Sequence, residues 1–127
     1  MRPEDKLQKE VVKLLDLSGL LYTATANGAF LQGDAKQRAI RGKRMKELGV
    51  KNGVPDLLIF DGPFKSWGVD SHYNGLAIEL KSGKNKPTAS QLEWHADLEL
   101  NGWRSVVCYS IDEVLAVLKE CYPHKFK

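Results

Sequence analysis

Apolar side chains at Leu7, Val11, Leu14 and Leu15 recur at helical spacing. Pro3 suits the first turn of such a helix and Glu4 its positive end, while Gly19 stands where a left-handed terminating residue belongs. Residues 20–26, "LLYTATA", are β-prone and run into the turn signal Asn27-Gly28. Residues 34–48 read as a basic helix, with Asp34 as N-cap and Gly49 after its end, or as a loop that orders on binding. Their apolar pattern is thin: Ala39, Ile40, Met45 and Leu48. "GVPDLLIF", 53–60, is a nearly continuous apolar strand interrupted by Asp56, and 61–74 carry the turn residues of a long irregular connection. A second apolar strand covers 75–81. Thr88 and Gln91 have capping-box spacing ahead of a helix to about Leu100, and Gly102 follows. A strand over 103–109 leads to Ser110 and Glu113, a second capping box, and to a last helix over 111–121. The order α-β-(basic helix or loop)-β-β-α-β-α predicts an α/β fold: one mixed sheet flanked by helices.

Composition supports a real core. The 127 residues are 43% hydrophobic and 9% aromatic, enough for one compact domain spanning 1–127. No run reaches the roughly 18 apolar residues of a membrane span, and the charged start leads into no signal-peptide core. A soluble, intracellular, cytoplasmic chain is the expectation. Cys108 and Cys121 lack metal-site or disulfide-scaffold spacing, and Cys108 reads as a buried free thiol.

Charge changes the picture through its distribution. The net charge is only +3, yet "KQRAIRGKRMK" holds Lys36, Arg38, Arg41, Lys43, Arg44 and Lys46 with no acid among them. Lys81, Lys84 and Lys86 form a second basic stretch. Such runs suit a polyanion, although a solvated helix face is the plainer explanation of the first.

Asp56 and Glu79 each interrupt a segment that otherwise belongs in a core. Runs of this kind come from strands covered on both faces. A buried, uncompensated carboxylate costs several kcal/mol or stays protonated. Two of them on adjacent strands, roughly 5 Å apart, also repel one another. A shared divalent cation answers both difficulties, and oxygen ligands of this type suit Mg²⁺ together with phosphate oxygens. Lys81 lies on the Glu79 face about 7 Å further along. It either acts as general base in phosphodiester hydrolysis or positions water and stabilises developing charge. A surface Glu79–Lys81 ion pair, worth about 0–1 kcal/mol, is the bland alternative.

"GVPDLLIF", then "LAIELKSG", then a glutamine-bearing helix in "PTASQLEWHADLELNGW" together resemble the PD-(D/E)xK nuclease superfamily. Within it, the chain is similar to the VRR-NUC (virus-type replication-repair nuclease) group over almost its whole length. The resemblance implies a restriction-endonuclease-like fold and Mg²⁺- or Mn²⁺-dependent cleavage of DNA. It assigns Asp56 and Glu79 as metal ligands along with the Leu80 backbone carbonyl, Lys81 as catalytic lysine and Gln91 as a supporting residue. It also implies an acid in the first helix, Glu4 with Glu10 as competitor, reaching the metal directly or through water. Gln91 has a rival role as a simple cap, and a side chain serving the cap is not expected to reach the metal as well. His72 and His95 receive no role.

The same resemblance implies a homodimer acting on branched DNA such as four-way junctions, in a bacterial or phage-infected cytoplasm. The segment before Pro55 is long and basic where the group varies, and its position implies a DNA-facing wall that Asn27 and Gly28 would begin, a bare hairpin turn being an equally good reading of those two. Lys84 and Lys86 join that surface. Two alternatives stand beside this one: a catalytically silent DNA-binding or assembly module on the same fold, and a nuclease acting on single strands, ends or RNA.

Overall fold

A computed structural model of the chain describes residues 2–25, 33–65 and 71–126. The expected Asn27-Gly28 turn lies outside the described residues. Four helices and four strands follow in the order α1 (Pro3–Ser18), β1 (Tyr22–Ala24), α2 (Ala35–Glu47), β2 (Leu57–Ile59), β3 (Leu76–Leu80), α3 (Ala89–Leu100), β4 (Arg104–Cys108) and α4 (Ile111–Cys121). The strands lie side by side in the order β1-β2-β3-β4. The first two pairings are antiparallel, and β3–β4 is parallel with α3 as its crossover. The expected mixed sheet flanked by helices is therefore present. Among the described residues no helix is long and apolar enough to cross a membrane.

Side-chain alternation divides the sheet into two working faces. Leu57, Ile59, Leu76, Ile78, Leu80 and Cys108 pack with Val11 and Leu15 of α1 and Val114 and Leu118 of α4, all buried. Each such Leu or Ile contributes about 1.5–3 kcal/mol relative to an exposed position. The opposite face meets α3, whose His95 hydrogen-bonds Ser105 of β4. His95 is thus a buried residue of the helix–sheet contact, with Nδ1 on Ser105 and burial holding its pKa low.

The helix ends follow local chemistry. Pro3 opens α1, and Gly19 closes it at φ 78°, in the left-handed region open to glycine. Asp34 and Gln37 form a full capping box on α2, and Thr88 and Gln91 form one on α3. Ser110 caps α4 by accepting from the Glu113 N–H, but the return bond differs from expectation. The Glu113 carboxylate reaches one residue further back, to the Tyr109 N–H at 3.1 Å.

The strands are shorter than the β-prone stretches that contain them. "LLYTATA" yields only Tyr22–Ala24. "GVPDLLIF" yields only Leu57–Ile59, because Pro55 has no N–H for a ladder and Gly53 sits at φ 88°. Helix α2 forms as a helix, yet none of its residues is buried.

Candidate active site

Strand register brings the two acids together. The β2–β3 pairing sets Ile59 opposite Leu76, Leu58 opposite Ala77 and Leu57 opposite Ile78. One further step sets Asp56 opposite Glu79, both on the α3 face. The backbone at Asp56 is pinned from β1. The Thr25 N–H donates to the Asp56 carbonyl and the Thr25 hydroxyl to the Pro55 carbonyl, each at 2.9 Å. The Asp56 side chain then turns inward, Oδ2 accepting the Leu80 N–H at 2.7 Å. On the β2 side, the end of β3 is thus held by a carboxylate.

Glu79 is only 2% exposed. Its Oε2 accepts from Gln91 Nε2 at 3.3 Å, while Oε1 is buried with no hydrogen-bond partner among the described residues. The Asp56 carboxyl lies within hydrogen-bonding range of it, so two carboxyl groups face each other with no N–H between them, and a bond between the two requires a proton on Glu79. Burial, and then the neighbouring Asp56 charge, push the Glu79 carboxyl up to about 9. Burial raises Asp56 as well, partly offset by the Leu80 N–H. Lys81 lowers both acids and Glu4 raises both. The pair therefore needs positive charge between its oxygens, supplied by a shared proton or by a cation.

The other expected site residues fall as follows. Glu4 is near enough to act on both acids, and its Oε1 accepts from Asn85 Nδ2 at 3.4 Å. Glu10 is exposed, and it is Glu4 that shifts both acids. Lys81 is half-buried at the end of β3, its N–H on the Cys108 carbonyl at 3.0 Å. Gln91 corrects the expectation that capping and site contact exclude each other. Its Oε1 accepts the Thr88 N–H at 2.8 Å while its Nε2 serves Glu79, because an amide has two ends.

Sequence reasoning missed Thr25, Asn85, Tyr109 and Trp94. Tyr109 donates its hydroxyl to the Asn85 carbonyl at 2.8 Å, which steadies the loop bearing the exposed Lys84 and Lys86. Trp94 donates its indole N–H to the Asn52 carbonyl at 3.1 Å. These ties span 24 and 42 positions, so no local pattern announces them.

All six cations of the basic run lie on α2. Lys36, Arg38, Lys43, Arg44 and Lys46 are exposed, and Arg41 is half-buried. Gln37, Ile40, Arg41 and Arg44 share one open face of this helix.

Among the described residues no group of three or more His, Cys, Asp or Glu forms a ready metal cage. The Asp56–Glu79 pair nonetheless fits a Mg²⁺-type ion, which takes one or two carboxylates and keeps water in its remaining positions. The unpartnered Oε1 of Glu79 is the observation behind that fit.

A four-stranded mixed sheet between helices, with Pro55-Asp56 and Glu79-x-Lys81 at neighbouring strand ends, is the restriction-endonuclease-like architecture. No family model and no curated protein matches the chain. A solved structure described as a "VRR_NUC domain protein" is similar over 94% of this chain and 88% of its own, at 26% identity and a TM-score of 0.66. The chain has a VRR-NUC-like fold, and that likeness places it beside a nuclease-domain family.

Proposed function

We propose that this chain is a metal-dependent endodeoxyribonuclease that hydrolyses DNA phosphodiester bonds and favours branched DNA such as four-way junctions, working as a homodimer. The observation that carries the reading is the buried Asp56–Glu79 pair, whose Glu79 Oε1 has no donor among the described residues. No contribution to the core accounts for two acids facing each other there.

Asp56, Glu79 and the Leu80 carbonyl would hold Mg²⁺ or Mn²⁺, with Glu4 at the mouth of the site acting through water. When bound, the cation supplies Lewis-acid stabilisation of the charge that builds on the phosphate. Lys81 holds the phosphate or the attacking water and offsets the same charge. Gln91 orients Glu79 through its Nε2. Hydrolysis consumes one water, breaks one P–O bond and leaves a phosphate monoester and a hydroxyl. The cations of α2, with Lys84 and Lys86, contact phosphates of the duplex arms and position them without reading sequence.

The test is a cleavage panel in Mg²⁺ or Mn²⁺ against EDTA. Four-way junctions, flaps, duplex, single strands and RNA serve as substrates. Metal-dependent cutting with the junction preferred is the expected outcome. Binding without cutting on every substrate would leave the silent-module reading in its place.

The basic helix has its own test. Neutralising Arg41 and Arg44 together reduces the slope of log affinity against log salt by about 2. Filter binding in EDTA at several salt concentrations measures this, and an unchanged slope removes α2 from the interface.

A further inference from the structure

Helix α3 touches Glu79 directly and, for Asp56, the segment that leads into it. Through Gln91 it holds Glu79 at 3.3 Å. One turn along the same helix, Trp94 donates its indole N–H to the Asn52 carbonyl at 3.1 Å. Asn52 begins the short segment that ends at Asp56. Next to it, Gly53 approaches α3 so closely that an added Cβ would lie 2.8 Å from Ser90 Oγ and 2.9 Å from the Ser90 carbonyl carbon. Glycine is required there twice over, since φ is also 88°. Pro55 is then buried, and Asp56 emerges opposite Glu79.

We propose that Trp94 is a positioning residue for the acid pair: its bond to Asn52 seats the Gly53–Pro55 segment on α3, and this sets Asp56 against Glu79. One helix thereby acts as the jig for both carboxylates. Glu79 is held by the side chain of Gln91, and Asp56 indirectly, through the Asn52–Pro55 segment that leads into it. The placement of Asp56 rests on contacts of the fold, these together with the Thr25 and Leu80 bonds, whereas the catalytic consequence rests on the nuclease reading.

Trp94→Phe tests the inference, since it keeps an aromatic ring and removes the N–H. The first readout is hydrogen exchange in the metal-free protein. The Leu80 amide is bonded to Asp56 Oδ2, so its protection reports where that side chain sits. The Lys81 amide, bonded to the Cys108 carbonyl, is the internal control. Leu80 is expected to lose protection while Lys81 keeps it. In the cleavage assay kcat falls about 10- to 100-fold, the range for losing an outer support of a metal site, with KM for DNA unchanged.

Wild-type Leu80 protection with wild-type kcat would overturn the proposal. A raised KM at unchanged kcat would overturn it too, by moving Trp94 to the DNA surface. If Leu80 loses protection while the wild-type chain cuts nothing, the positioning role stands and the nuclease reading fails.

Discussion

Glu79→Gln is expected to abolish metal-dependent cleavage and, at the same time, to make the metal-free protein more stable. Loss of activity follows from losing one of the two carboxylates that would hold the ion. The gain in stability follows from the raised pKa. In the metal-free fold Glu79 is pushed up to about 9 from an ordinary glutamate value of 4.5, chiefly by burial. Between those values the folded chain keeps a proton that the unfolded chain has released. Stability from this group is therefore complete below the lower value and drains away as pH rises toward the upper one, by up to about 1.4 kcal/mol per pH unit. Glutamine carries no charge to bury. Its amide N–H can donate to Asp56 while its oxygen still accepts from Gln91.

Urea unfolding in EDTA should show the variant steadier than the parent by about 1–3 kcal/mol near pH 8, the difference vanishing toward pH 4. A parent whose stability is flat with pH, or a variant that still cuts at the parent rate, would overturn the assignment. The same linkage means that loading the site displaces a proton, so affinity for the cation should rise with pH.

Gln91→Glu is expected to leave folding intact and to reduce cleavage at least tenfold, as loss of an outer-shell partner does. Thr88 with glutamate three residues on is as good a capping box as the native pair, and an acid suits the start of a helix. What changes is the other end of the side chain. The Nε2 that donates to Glu79 Oε2 at 3.3 Å becomes an oxygen, placing a third negative group against a pair already short of donors. Comparing thermal unfolding with kcat separates the two duties. Parent-like kcat would show that Gln91 serves only the cap.

Much of this site is legible in the order of residues alone. Period-two alternation and the interruption of apolar runs locate Asp56, Glu79 and Lys81, because strand geometry is nearly rigid and register follows from it. Helix starts at Pro3, Asp34, Thr88 and Ser110 are legible for a similar reason: caps are short-range chemistry. Strand lengths are not, since apolar content cannot tell a ladder residue from its flanks, and Pro55 and Gly53 act one residue at a time. The choice between Glu4 and Glu10 needs the spatial relation of α1 to the sheet, which helical periodicity alone does not contain. The double use of Gln91 and the reach of Trp94 depend on contacts closed only when α3 settles across the strands.

Helix α2 has a capping box but no buried residue. Packing therefore places little constraint on its side chains, in contrast to those of β3, all of which are buried. Mutational drift along α2 can change the charge of this face one cation at a time, with scarcely any toll on folding. Divergence between relatives should accordingly concentrate in that helix while the carboxylate cradle stays put, giving evolution an adjustable handle on an otherwise inflexible tool.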